Sequence, residues 1–200
     1  AVWFGEKELA LPQGLLITDN WSSNYYHWMV DSLQRLAVAQ RAGLDIPVVV
    51  PSYFAGHSFV LESLVFLGIN FIRSSDRNFQ PVKRLITVSP AGPTGNPNPD
   101  LVEQIRALIS KNLTPPEGVR RLPKVAPRLW ISRSKASRRR IANESDLALI
   151  LERHGFTTVY AEELSFAEQM AVFQGAEVIA GPHGAGLTNM LAAPRGCQVI

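Results

Sequence analysis

Short apolar runs alternate with longer amphipathic ones along the chain, the pattern of α/β architecture with largely parallel sheets. Gly14-Leu15-Leu16-Ile17-Thr18 predicts a strand, and residues 24–40 predict a helix that ends near Gly43. Pro47-Val48-Val49-Val50 predicts a short buried strand. A helix over about 58–67, a strand near Phe71 and another over 84–88 continue the alternation. Residues 89–99 hold four prolines and two glycines and predict a loop before a helix over 100–111. The second stretch predicts a strand at 128–132, a helix at 144–153, a strand at 157–160 and a helix at 165–174. A strand at 177–180, a helix starting near Gly184 and a terminal strand at 198–200 follow. Pro115, Pro116, Pro123 and Pro127 mark the break between the stretches. The expected organisation is a first half over residues 1–113, a linker over 114–127 and a second half over 128–200. Two Rossmann-like halves so joined would face each other across a cleft.

Composition narrows this picture. Two hundred residues, 46% of them apolar, supply a substantial core. Cys197 is the single cysteine, which excludes an intrachain disulfide and any multi-cysteine metal site; a reducing compartment is the easier reading, a secreted disulfide-free chain the alternative. The most apolar stretch, residues 46–72, is interrupted by Pro51, His57 and Glu62, so no bilayer span is predicted there. Glu6, Lys7 and Glu8 follow the opening Ala-Val-Trp-Phe, unlike a secretory leader. The chain lacks an initiator Met and stops on a strand pattern. It is therefore expected to be a segment of a longer protein, truncated at its C-terminus, with any membrane association supplied by regions outside it.

Charge is uneven. Arg120 to Arg140 carries nine of the twenty Lys and Arg residues and no acid, leaving eleven bases against seventeen acids elsewhere. One basic segment in an otherwise acidic chain suggests a local anion site.

Three segments carry candidate chemistry. In Val178-Ile179-Ala180-Gly181-Pro182-His183-Gly184-Ala185-Gly186-Leu187-Thr188-Asn189 an apolar strand runs through a glycine-rich turn into a helix. Such a turn gathers backbone N–H groups where a diphosphate can approach; glycines there also serve plain strand-to-helix packing. Trp130-Ile131-Ser132-Arg133-Ser134-Lys135-Ala136-Ser137-Arg138-Arg139-Arg140 is a strand end entering a cation-rich loop, suited to phosphate oxygens or simply solvated. Asn143 is placed to cap the next helix. Glu144 reads either as a first-turn acid that complements the helix dipole or as a ligand for ribose hydroxyls. In Asn24-Tyr25-Tyr26-His27-Trp28-Met29-Val30-Asp31-Ser32-Leu33-Gln34-Arg35-Leu36, helical spacing puts Tyr25, Trp28, Met29, Leu33 and Leu36 on a core stripe. Asn24, His27, Asp31 and Arg35 share another. His27 and Asp31 one turn apart suit a general base with its orienting acid, or a surface ion pair. Phe166, Met170 and Phe173 at helical spacing, His154 before Gly155, His57 and Cys197 read as structural.

Together these segments resemble the family 61 glycosyltransferases, which act in capsular polysaccharide synthesis and in eukaryotic glycan and xylan pathways. The resemblance runs from about Asn24 to the C-terminus. It rests on Asn24-Tyr25-Tyr26-His27-Trp28 with Asp31 and Arg35-Leu36, and on Ser132-Arg133 with Arg139, Arg140, Asn143 and Glu144. Leu164-Ser165-Phe166-Ala167-Glu168-Gln169 and the segment 181–189 complete it. The resemblance implies a GT-B arrangement with the nucleotide sugar on the C-terminal half and the acceptor on the N-terminal half. It implies inversion at the anomeric carbon and no metal ligands. Carried over, Arg133 and Arg139, with Arg138 and Arg140 as their neighbours, become diphosphate ligands. His183, Gly184, Ala185, Gly186, Leu187, Thr188 and Asn189 become its helix-end seat. Glu162, with 164–166, lies where the nucleoside would rest, joined by Glu144 as a ribose ligand. His27 and Asp31, expected to face the cleft opposite the cations, become candidates for deprotonating the acceptor. No separate cofactor is implied. The expected donor is a UDP-linked hexose or pentose, the acceptor a glycan, polysaccharide or protein, and the setting cytoplasmic at the inner face of a membrane. A phosphate- or nucleic-acid-binding module built on Arg120 to Arg140 is the alternative, although Trp130 is the one aromatic in that stretch.

Overall fold

A computed structural model of the chain describes residues 11–74, 81–113 and 126–200. Most of the expected linker, residues 114–125, and the first ten residues lie outside this description, as do Arg120, Arg121 and Lys124 of the basic segment.

The described chain is α/β, with two separate four-stranded sheets whose strand pairs are all parallel. The first sheet has the order β3-β2-β1-β4, with β1 Gly14–Leu16, β2 Val48–Val50, β3 Phe71–Arg73 and β4 Leu85–Thr87. The second has the order β6-β5-β7-β8, with β5 Arg128–Ile131, β6 Thr157–Val159, β7 Val178–Ala180 and β8 Gln198–Val199. Near-continuous aliphatic strands such as Val48-Val49-Val50 are what a sheet covered on both faces requires. In each sheet the chain steps to one side of its first strand and then crosses to the other. The carboxyl-end crevices therefore fall between β1 and β4 and between β5 and β7, where open parallel sheets bind ligands.

The helices are α1 Tyr25–His27, α2 Leu33–Arg41, α3 Ser52–Ala55, α4 Ser58–Phe66, α5 Pro99–Leu113, α6 Glu144–Arg153 and α7 Phe166–Gln174. The continuous helix expected over 24–40 is interrupted by a π-helical turn, Trp28–Ser32, between α1 and α2. Trp28, Met29, Val30, Ser32, Leu33, Gln34 and Arg35 are all buried, so packing from nearly every side overrides a simple two-stripe pattern. Arg35 consequently leaves the His27 stripe. Its guanidinium bonds the Ile17 carbonyl at 3.0 Å and the Asp19 carboxylate at 2.5 Å. Gly43 and Gly155 follow α2 and α6 at φ 72 and 79, the left-handed caps that favour glycine. Asn143 occupies the cap position of α6 without donating or accepting there through its side chain.

Helix α7 joins the two halves. Ser165 and Glu168 close a capping box at its start. Phe166, Met170 and Ala171 enter the core under the first sheet, while Phe173 enters the core of the second. The structural reading of Phe166, Met170 and Phe173 holds, since each is at most 1% exposed. Polar ties reinforce the junction. Glu62 of α4 accepts from the Phe166 N–H at 2.7 Å, and Arg106 of α5 donates to the carbonyls of Met190, Leu191 and Ala193. No helix among the described residues is long and apolar enough to cross a membrane.

Candidate active site

Strands β5 and β7 are direct neighbours, with Trp130 opposite Ala180, so the segments that leave them emerge side by side at one end of the sheet. Above that end lies a cleft of about 480 Å³. The second half contributes Ile131, Ser132 and Arg133 from the end of β5, the loop residues Lys135 to Ser137, and Ala161, Glu162 and Leu164 after β6. Gln169 and the turn from Pro182 through Gly184, Ala185, Gly186 and Leu187 complete that wall. The first half closes the other side with Tyr25, Ser58, Phe59 and Glu62.

Each glycine of the turn has a separate reason to be there. A side chain on Gly181 would meet the Ile131 carbonyl at 3.0 Å, and one on Gly186 would meet Ile131 Cγ2 at 3.3 Å, so these two serve strand packing. Gly184 makes room for Arg133, whose Cζ would lie 3.0 Å from an added Cβ. The helix expected from Gly184 is a 3₁₀ helix, Ala185–Ala192, whose opening N–H groups have no intrahelical partner. Arg133 is braced from the opposite side, donating through Nε and Nη2 to the Arg138 carbonyl at 3.3 and 2.9 Å. Its Nη1 faces the turn.

Glu144 supports this arrangement from below. It is 6% exposed, and its Oε1 accepts from Trp130 Nε1 at 3.1 Å and from the Arg133 backbone N–H at 3.2 Å. Its carboxylate fixes the end of β5 and the first residue of the basic loop. It lines no part of the cleft, and Oε2 is buried with no partner among the described residues.

Arg139 adopts φ 58, which a side-chain-bearing residue rarely takes, and its Nη1 lies 2.7 Å from His183 Nδ1. Arginine has no acceptor, so Nδ1 accepts and the His183 proton sits on Nε2, available as a donor. His27 shows the opposite tautomer. Its Nδ1 lies 2.7 Å from Asp31 Oδ2, and a carboxylate only accepts, so in the neutral imidazole Nδ1 carries the proton and Nε2 presents the lone pair. No hydrogen-bond partner for that Nε2 occurs among the described residues. Asp31 is further held by the Gly95 N–H at 3.4 Å.

The structure thus brings together Arg133, Glu162, Gly184, Ala185, Gly186 and Leu187 around one cleft. Arg139 and His183 pair with each other at exposed positions outside its lining, as does Arg138 through its carbonyl contact to Arg133. Thr188 and Asn189 are buried. The Asn189 amide is occupied by Tyr25, whose hydroxyl donates to Oδ1, and by Gln169 Oε1 at 2.7 Å. His27 and Asp31 form their pair but do not line the cleft.

Sequence reasoning missed the first-half wall and Lys135. Tyr25 reads as a core position, and burial followed by the nearby Glu62 charge pushes its phenol well above the ordinary range, leaving it a neutral donor to Asn189. Glu62 had a legible signal, as the lone acid inside an apolar stretch. Lys135 pairs with Glu163, which raises its pKa, and sits 4.3 Å over the Tyr160 ring. Among the described residues, no three His, Cys, Asp or Glu side chains cluster as metal ligands.

Compared with known proteins, residues 25–200 match the family model described as Glycosyltransferase 61, a span that includes every residue lining the cleft. No curated protein matches the chain.

Proposed function

Because the chain belongs to glycosyltransferase family 61, we propose that it transfers a sugar from a nucleotide-sugar donor to an acceptor hydroxyl by a single inverting displacement that needs no metal. The observation that carries this reading is the convergence of Arg133 and the Gly184 turn at the crevice between β5 and β7. The donor diphosphate rests there, against the Arg133 guanidinium and the N–H groups that open the 3₁₀ helix. Glu162, at the carboxyl end of β6, bonds the ribose. A cleft of about 480 Å³ suits a UDP-linked hexose or pentose. The two parallel sheets are read as the halves of a GT-B arrangement, with the acceptor on the first.

In the reaction the acceptor oxygen attacks the anomeric carbon as His27 Nε2 takes its proton, and the bond from that carbon to the diphosphate breaks. Asp31 holds the imidazole in the required tautomer and stabilises the imidazolium that forms. The departing nucleoside diphosphate carries away the electron pair, and Arg133 and the N–H groups that open the 3₁₀ helix compensate its charge, with the Arg139–His183 pair at the rim adding positive potential. Because His27 lies outside the cleft lining, the acceptor approaches along the α1 side and the donor sugar projects toward it. The acceptor is a glycan, polysaccharide or protein hydroxyl. The single cysteine supports a cytoplasmic setting.

A turnover assay with the full-length enzyme separates chemistry from binding. His27→Ala should lower turnover by about 10²- to 10⁴-fold while leaving nucleotide affinity intact. Wild-type turnover in His27→Ala removes the base assignment.

A further inference from the structure

Trp21 is 59% exposed, whereas Trp28 is fully buried and Trp130 is 7% exposed. Its exposure does not come from a loose turn. The Trp21 N–H donates to Asp19 Oδ1 at 2.9 Å, and its carbonyl accepts from the Asn24 N–H at 2.9 Å. Asp19 is itself tied to Arg35, and Ser22 Oγ donates to Asp19 Oδ1 at 3.1 Å. Ser22 Oγ also lies 2.8 Å from Ser32 Oγ, and both serines are fully buried. The turn is thereby fastened to the π-helical segment and to α2, and its indole stands outward.

Two further facts place that indole. The turn follows β1 at the carboxyl edge of the first sheet, beside the β1–β4 crevice. The indole centroid is 5.5 Å from the centroid of the His27 ring, at 40° to it. An exposed aromatic face carries partial negative charge. The axial face of a pyranose presents C–H groups polarised by the ring and hydroxyl oxygens, and its equatorial hydroxyls point outward from the ring edge.

We infer that Trp21 is the stacking platform for the acceptor, that this acceptor is therefore a saccharide, and that stacking presents a ring-edge hydroxyl to His27. The inference rests on the reading of His27 as the base, and it names the acceptor class that this reading leaves open. Trp21 binds and positions the acceptor ring; it takes no part in proton transfer.

A glycan array probed with the full chain in the presence of UDP tests it, beside a panel of serine- and threonine-containing peptides. The wild-type chain should retain one or more glycans. Trp21→Ala should weaken them by roughly tenfold and Trp21→Phe by less, as loss of an aromatic face predicts. Both variants should melt and bind UDP like the wild type, because the side chain is exposed. His27→Ala should keep the glycans, so loss of its turnover reports on the base and loss of glycan by Trp21→Ala reports on the platform. Undiminished glycan binding by Trp21→Ala, retention of no glycan by the wild type, or retention of peptides instead overturns the inference.

Discussion

Replacing Gly184 with alanine tests the donor site through a single methyl group. The new Cβ would lie 3.4 Å from Cδ and 3.0 Å from Cζ of Arg133, and closer still to Nη1. The backbone is no obstacle, because φ at Gly184 is 176, an extended conformation open to any residue. The guanidinium must move, and moving it breaks the bonds from Nε and Nη2 to the Arg138 carbonyl. Those bonds are solvent-exposed, so their combined loss should cost stability only about 1–2 kcal/mol. Affinity should suffer more. A displaced Arg133 forfeits charge-assisted bonds to the diphosphate worth about 1.5–3 kcal/mol, which corresponds to a loss of about 10- to 150-fold in UDP affinity. Gly181→Ala is the control, since its methyl would press on the Ile131 carbonyl and Cβ at 3.0 and 3.1 Å, inside a sheet that cannot yield. That variant should lose about 1–3 kcal/mol of stability and keep its UDP affinity when folded. Calorimetric UDP titration and denaturant unfolding on both variants supply the comparison. Wild-type UDP affinity in Gly184→Ala, or a larger affinity loss in Gly181→Ala, would refute the placement of the diphosphate.

Glu144→Ala should cost about 2–4 kcal/mol in urea unfolding, because it strands the buried Trp130 Nε1–H and the half-buried Arg133 N–H; Glu144→Gln keeps an acceptor for both and should lose less. Stability equal to wild type in the alanine variant would contradict the role given to this carboxylate. Burial alone would raise the Asp19 pKa, but bonds from Arg35, the Trp21 N–H and Ser22 outweigh it and set the folded value below the ordinary one. The stability Asp19 contributes is therefore fully present above about pH 4 and lost as pH falls through the lowered value. Asp19→Asn should flatten that acid limb in a pH series of thermal melts, and an unchanged limb would exclude Asp19 as its source.

The β strands and the helices α4 to α7 were legible because short apolar runs alternate with amphipathic ones and glycine or proline separates them, including at β4 and β8, whose residues are largely exposed. The π-helical turn at Trp28–Ser32 was not legible, since it arises where packing from several sides accommodates an extra residue, and periodicity carries no mark of that. Arg35 illustrates the same limit. Its helical spacing groups it with His27 and Asp31, yet Asp19, distant in sequence, claims its guanidinium. In the site, Arg133 and Gly184 could be read from sequence because both follow strands and strand ends of one parallel sheet share an edge. In the facing wall Glu62 stood out as the lone acid of an apolar stretch, but that it closes one cleft with Tyr25 and Phe59 depends on how α1 and α4 meet the second half through α7 and the 3₁₀ helix. Glu144 announced itself as an acid at a helix start, but only the fold shows that its carboxylate lies under the strand end.

In the proposed reaction the cleft beside β5 and β7 binds the donor nucleotide through Arg133, apart from the chemistry at His27. Calorimetric titration of UDP into the wild-type chain, Arg133→Ala and His27→Ala tests it in one experiment. His27→Ala should bind UDP as the wild type does, while Arg133→Ala should bind about 10- to 150-fold more weakly. Equal affinity in Arg133→Ala and wild type, or no binding of UDP by the wild-type chain, would contradict it.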